Sequence, residues 1–244
     1  MPLMKSKKCL SRNTIKWIAV LCMLIDHFAW AFLKTDSVLG MLCHTVGKVT
    51  APCMFYFLAE GIYYTRSVRK YVMRLAIFAA VSELPYLIFA NDGALLPLTF
   101  NVLVTMLCAV LAIYAYDRTM TNPLWAVVMA GAIMVTVSMD WGIWGVAFAV
   151  FFYRYRGNFR YQWLSYAAIN LMKIFYTGYE RGLNLYYLVP VVVSPVIVFC
   201  LFCLYNGSCG GSKGRKAVWN KWAFYVIYPL QFIVFDVIMW LLGR

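Results

Sequence analysis

Charge is scarce in this chain. Of its 244 residues only 13% are charged, nine are acidic and two are histidine. Soluble chains carry about 25% charged and roughly 45–50% apolar residues, so the 64% apolar fraction excludes a soluble globular class. No polar stretch is long enough to form a soluble catalytic domain, and any active site must be built from helices and their short connections. A phosphate-binding P-loop is missing as well. The Gly-rich segment NGSCGGSKGRK at 206–216 lacks the adjacent Gly-Lys-Ser/Thr that such a loop needs. No internal repeat is visible, and no composition break divides the chain, which reads as one domain over 1–244.

The eight cysteines lack partners of either kind. Cys22, Cys53, Cys108, Cys200 and Cys203 fall inside apolar runs, Cys9 and Cys209 in basic segments, and Cys43 stands apart from both. No pair shares an oxidising compartment, so disulfides are not expected. CLFC at 200–203 has zinc-like spacing but no histidine or second CxxC nearby. Buried apolar thiols and no metal are expected.

Long apolar runs are abundant from Trp17 to Leu242. They predict an all-α, polytopic integral-membrane helical bundle of about nine spans: 17–33, 45–64, 71–90, 98–116, 124–138, 141–153, 161–178, 184–205 and 222–242. Of the 22 Lys and Arg residues, 17 fall on alternate connections beginning with the N-terminus. That bias predicts an N-in, C-out chain in the lipid bilayer, with a cytoplasmic basic N-terminus at 1–16 and a cytoplasmic Gly-rich basic loop at 206–221. It also accounts for the net charge of +13 without nucleic acid. Residues 5–31 have the layout of a secretion signal, but Asp26 and His27 interrupt its apolar stretch and argue against cleavage.

The acidic residues divide by position. Asp36, Asp92, Asp117 and Glu180 fall in connections, and Asp140 at a membrane edge. Asp26, Glu60, Glu83 and Asp236 fall inside spans, with His27, Lys48, Asn101 and Gln231. Charged groups in hydrocarbon cost at least a few kcal/mol each unless paired or hydrated, so these residues predict a polar cavity. His27 lies about 15 Å into the first span, near the midplane. Lys16 precedes it by eleven residues and so shares its helix face three turns lower. The connector TRSVRKYVMR at 65–74 places Arg66, Lys70 and Arg74 at spacings of four, with Arg69 beside them. Such a stripe suits phosphates, and it also suits an ordinary basic inner loop. An intramembrane imidazole among carboxylates fits general-base chemistry or a proton relay in a carrier, although no inverted repeat accompanies it. A non-catalytic scaffold is the third class.

The segments IKWIAVLCMLIDH (15–27), VGKVTAPCMFYFLAEGIYYTRSVRKYVMRLAIFAAVSELP (46–85), NVLVTML (101–107), WGIWGV (141–146) and LYNGSCGGSKGRKAVWNKWAFYVIYPLQF (204–232) resemble, in order, the TraX family. The resemblance implies a bacterial cytoplasmic membrane protein associated with N-terminal acetylation of conjugative pilin. It is also similar to membrane acyltransferases that use cytoplasmic acetyl-CoA, in which a basic residue precedes a first-span His by eleven positions, as Lys16 precedes His27. The resemblance therefore implies an acetyl-CoA-dependent acyltransferase. In this reading His27 is the base or transient acetyl carrier, with Asp26, Glu60 or Glu83 (or Asp236) to orient it. Lys16, Arg66, Arg69, Lys70 and Arg74 would grip the phosphates of coenzyme A. The acceptor would be a pilin or other protein N-terminus, a sugar hydroxyl or a small amine. Two positions depart from the family pattern. YPLQF puts Gln231 where Tyr-Pro-Leu-His is common, and Gln cannot act as a base. Gly47-Lys48 stands where Gly-Arg is frequent, which keeps the charge and loses the bidentate fork.

Overall fold

The computed structural model describes residues 9–91, 99–119, 122–208, 210 and 215–243. The cations at Lys5, Lys7, Lys8, Lys213 and Arg244, with Asp92 and Cys209, lie outside them. Among the described residues there are ten α-helices: α1 (Arg12–Phe32), α2 (Val38–Gly47), α3 (Thr50–Tyr64), α4 (Val68–Ala90), α5 (Val102–Thr119), α6 (Leu124–Met134), α7 (Gly142–Arg154), α8 (Phe159–Arg181), α9 (Leu185–Cys203) and α10 (Arg215–Leu241). A 3₁₀ turn at Val135–Ser138 follows α6, and the described residues contain no strand beyond two isolated bridges. The all-α membrane class expected from composition is the observed one.

Six stretches among the described residues are long and apolar enough to cross a membrane: α1, α4, α5, α9, the α2–α3 pair taken together, and Trp222–Leu241 within α10. α6 with its turn and α7 are shorter apolar helices. The expected second span at 45–64 starts too late, since its helical stretch opens at Val38. The expected loop at 206–221 ends too late, since α10 begins at Arg215.

Local chemistry sets these boundaries. Ser or Asn side chains accept from the first-turn N–H groups at Ser11, Ser37, Ser67, Asn101 and Asn184, the residue types whose short oxygens suit that position. The break between α2 and α3 falls at Lys48–Val49. Pro52 explains it, because a proline donates no N–H and its ring crowds the carbonyl four residues earlier, here that of Lys48. On α4, Met73, Ile77, Val81 and Leu84 form an exposed apolar stripe, opposite the buried Leu75, Ala79, Ser82 and Leu87. An exposed stripe of large apolar side chains suits a helix with lipid on one face.

The chain divides into two compact units, Met1–Met54 with Asn170–Phe224 and Phe55–Ile169 with Tyr225–Arg244. In the first, α2 packs against α1 and α9. The segment before α1 is pinned to the connection after α9. Leu10 N–H donates to the Leu204 carbonyl (3.0 Å), Asn206 N–H to the Leu10 carbonyl (2.9 Å) and Arg12 N–H to the Ser208 carbonyl (2.9 Å). Residues Leu10–Arg12 and the connection at 204–208 thus meet at one end of this unit.

In the second unit α5 packs against α4, α6 and α7. Its centre is aromatic: Phe148, Phe152, Trp163 and Tyr166 interlock with ring centroids 5.1–6.3 Å apart. Lipid tails are as apolar as these rings, so close packing rather than water exclusion must hold the cluster. Gly145, inside the WGIWGV segment, shows how close that packing is, because a Cβ there would collide with the Phe55 ring.

Candidate functional site: a buried acid–imidazole pair

Asp26 and His27 adjoin on α1, and a helix turns about 100° between them, so the two side chains leave it in different directions. The structure gives Asp26 a different imidazole. His44 Nδ1 lies 2.8 Å from Asp26 Oδ1. His44 is 4% exposed, and the Asp26 side chain about one-fifth. In the neutral imidazole, a carboxylate accepting at Nδ1 places the proton there and leaves the lone pair on Nε2. Nε2 is shut off from solvent and has no hydrogen-bond partner.

Three features hold the pair. Gly40, His44 and Gly47 recur at helical spacing and are all buried, so α2 turns a glycine-flanked imidazole toward its neighbours. Gly47 lies against Asp26 itself, and a Cβ there would overlap the Asp26 side chain. Trp30, one turn beyond Asp26 on α1, covers the ring of His44 with centroids 4.7 Å apart. Directly after the break, the Thr50 hydroxyl donates to the Ala19 carbonyl (2.8 Å) and ties the start of α3 to α1. Two thiols lie nearby in the same unit, Cys22 one turn before Asp26 and Cys53, both buried as expected. The same expectation fails at Cys200, which is exposed on α9.

A second intramembrane carboxylate is handled differently. Glu83 Oε2 on α4 accepts from both the side-chain and backbone N–H of Asn101. The same Asn101 amide donates to the Ala79 carbonyl (2.9 Å) and accepts from Leu103 N–H (2.9 Å), capping α5. Asn101 is fully buried and fully used, whereas Glu83 Oε1 is buried without a partner.

The other anticipated residues fall as follows. His27 and Glu60 are half-buried, on α1 and α3. Lys16 lies on α1 with its ammonium 5.4 Å from the centre of the Phe224 ring. The basic stripe is not continuous. Arg66 precedes the Ser67 cap, so only Arg69, Lys70 and Arg74 belong to α4. Arg66, Arg69 and Lys70 are exposed, while Arg74 is half-buried with its guanidinium over Tyr71. Gln231 is 4% exposed with both amide atoms unpartnered. Asp236 is half-buried on α10.

His44 is the residue that sequence reasoning missed, because it falls in the expected connection before residue 45. A readable signal was present. Ser37 is a helix cap, and the apolar Val38, Leu39 and Leu42 face away from Gly40, His44 and Gly47, which is helical periodicity beginning at residue 38.

Helices with apolar exteriors and ionisable side chains set within them define a multi-pass helical membrane protein. The chain belongs to the TraX family, whose family model, described as TraX protein, matches residues 11–239. It is similar to a probable fimbrial assembly protein FimC, serogroup H1, of Dichelobacter nodosus, with 27% identity over 232 residues covering 89% of this chain and 91% of the relative. No solved structure matches it.

Proposed function

We propose that this protein is a membrane-embedded acyltransferase that moves acetyl from cytoplasmic acetyl-CoA to an amine or hydroxyl acceptor, and that it serves pilus assembly in a bacterial cytoplasmic membrane. One observation carries the chemistry: a buried imidazole held by a carboxylate at Nδ1 and without a partner at Nε2. Acyl transfer from a thioester needs a base for the acceptor's proton, and a neutral imidazole oriented by a carboxylate suits that task. His44 Nε2 takes the proton as the acceptor nitrogen or oxygen bonds to the carbonyl carbon. The carbon–sulfur bond then breaks, and the imidazolium returns the proton to the departing thiolate. Asp26 keeps the proton on Nδ1 throughout and stabilises the transient imidazolium. Family membership and the fimbrial assembly relative support a pilin-type acceptor, an exposed amine at a protein N-terminus. His27, the imidazole that the family resemblance singles out, is a second candidate for base or acetyl carrier.

The test is acetyl-CoA turnover by the detergent-solubilised protein with an amine acceptor, alongside coenzyme A binding. His44→Ala should lower turnover about 10²–10⁴-fold, the usual worth of a general base, with binding unchanged. Wild-type turnover in a folded His44→Ala protein would return the pair to helix–helix glue. Loss in His27→Ala alone would move the chemistry to that residue.

A further inference from the structure

The Phe55–Ile169/Tyr225–Arg244 unit contains an arginine that does not behave like a membrane-edge anchor. Arg156 lies in the turn between α7 and α8. Its guanidinium sits on the Tyr63 ring, 2.9 Å from the centroid, with the Tyr64 ring centre 5.2 Å away. Tyr63 and Tyr64 meet edge to face at 5.2 Å. An anchoring arginine buries its stem and keeps its head in water. Here one head nitrogen, Nη1, is out of solvent and has no acceptor among the described residues. Arg12 and Arg74 also carry a buried unpartnered nitrogen, but theirs is the inner Nε.

The neighbouring Tyr153 hydroxyl donates to Asp117 Oδ2 (2.7 Å), and among the described residues Arg156 makes no ion pair. A buried guanidinium edge left without an oxyanion is costly, and planar N–H donors on an aromatic platform match phosphate oxygens well. Tyr64 leads within two residues to Arg66, and Arg69 and Lys70 follow at the exposed start of α4. A basic surface therefore adjoins this platform in the chain.

We infer that Arg156, seated on Tyr63 and Tyr64, is an anchor for a phosphate ester. Either the acyl donor's coenzyme A moiety or an anionic lipid headgroup presents that chemistry. The first source rests on the acyltransferase reading, whereas the phosphate chemistry does not.

The experiment measures thermal unfolding and affinity of the full detergent-solubilised chain with four probes: acetyl-CoA, coenzyme A, adenosine 3′,5′-bisphosphate and phosphatidylglycerol in mixed micelles. Coenzyme A and the bisphosphate should stabilise the wild type, and Arg156→Gln should weaken both about tenfold to a hundredfold, the loss expected for charge-assisted hydrogen bonds. Arg156→Lys keeps the charge without the fork and should recover part of that loss. It also decides the matter if Arg156→Gln does not fold. Arg156-dependent stabilisation by phosphatidylglycerol alone supports the anchor and assigns it to lipid, overturning the coenzyme A source. Equal responses of wild type and both variants to every probe overturn the anchor. Because binding is read without turnover, an inactive His44→Ala or an unchanged one bears on the base and leaves this result untouched.

Discussion

Asp26 and Glu83 pose one problem and receive two answers. Each is a carboxylate on a long apolar helix, and each bonds a residue 18 positions later on the following helical element. Asn101 answers Glu83 with a side chain whose donors and acceptor are all engaged, so the arrangement is complete on the protein side of the amide and caps α5. His44 answers Asp26 with one nitrogen and holds the other in reserve. An amide cannot take a proton near neutral pH, and an imidazole can. The lesson is that an ionisable residue within a span marks function according to what its partner has left over.

The comparison can be broken by exchanging expectations. Asp26→Asn should lower turnover about 10²-fold or more, because an amide presents an N–H as readily as a carbonyl to Nδ1 and no longer fixes the productive tautomer. Glu83→Gln should leave turnover per folded molecule close to wild type. Equal losses in acetyl-CoA turnover for the two would erase the distinction.

Next in size, Gly47→Ala should cost about ten- to a hundredfold in turnover, since the added Cβ displaces Asp26 and small misplacements of catalytic groups are costly. Coenzyme A binding should be retained, and an unaltered rate would show that α2 has room to shift.

Asn101→Ala addresses stability instead. Losing a buried cap and a donor to Glu83 should destabilise the protein by about 1–3 kcal/mol, read as a lower midpoint of unfolding in detergent. Turnover at low temperature should survive. The smallest effect belongs to Trp30→Leu, which removes the ring over His44 but neither hydrogen bond, at a cost of about 0.5–1.5 kcal/mol in stability. A loss of turnover as large as that of His44→Ala would make Trp30 part of the machinery.

Much of this was legible beforehand, and unevenly so. The apolar runs and the intramembrane carboxylates were plain, because a membrane restricts spanning segments to helices and penalises charge within them. Asn101 reads as intramembrane from its position, but its bond to Glu83 is not legible, since nothing in one sequence says which residues of two helices share a level. The spacing of Arg66, Lys70 and Arg74 predicts one helical stripe, which the Ser67 cap interrupts. His44 escapes the sequence because the apolar run suggests a span from 45, whereas Ser37 and Pro52 together mark where the two helices start and break.

By itself the sequence determined the solvent, the helical class and the family, all of which follow from composition, periodicity and ordered motifs summed over many residues. Tertiary structure alone decided the pairing. Asp26 had two histidines to choose from, one adjacent and one 18 residues away, and it bonds the distant one. The reason is geometric: neighbours on a helix diverge by about 100°, whereas a glycine at 47 lets a second helix come close enough to present His44 to the carboxylate.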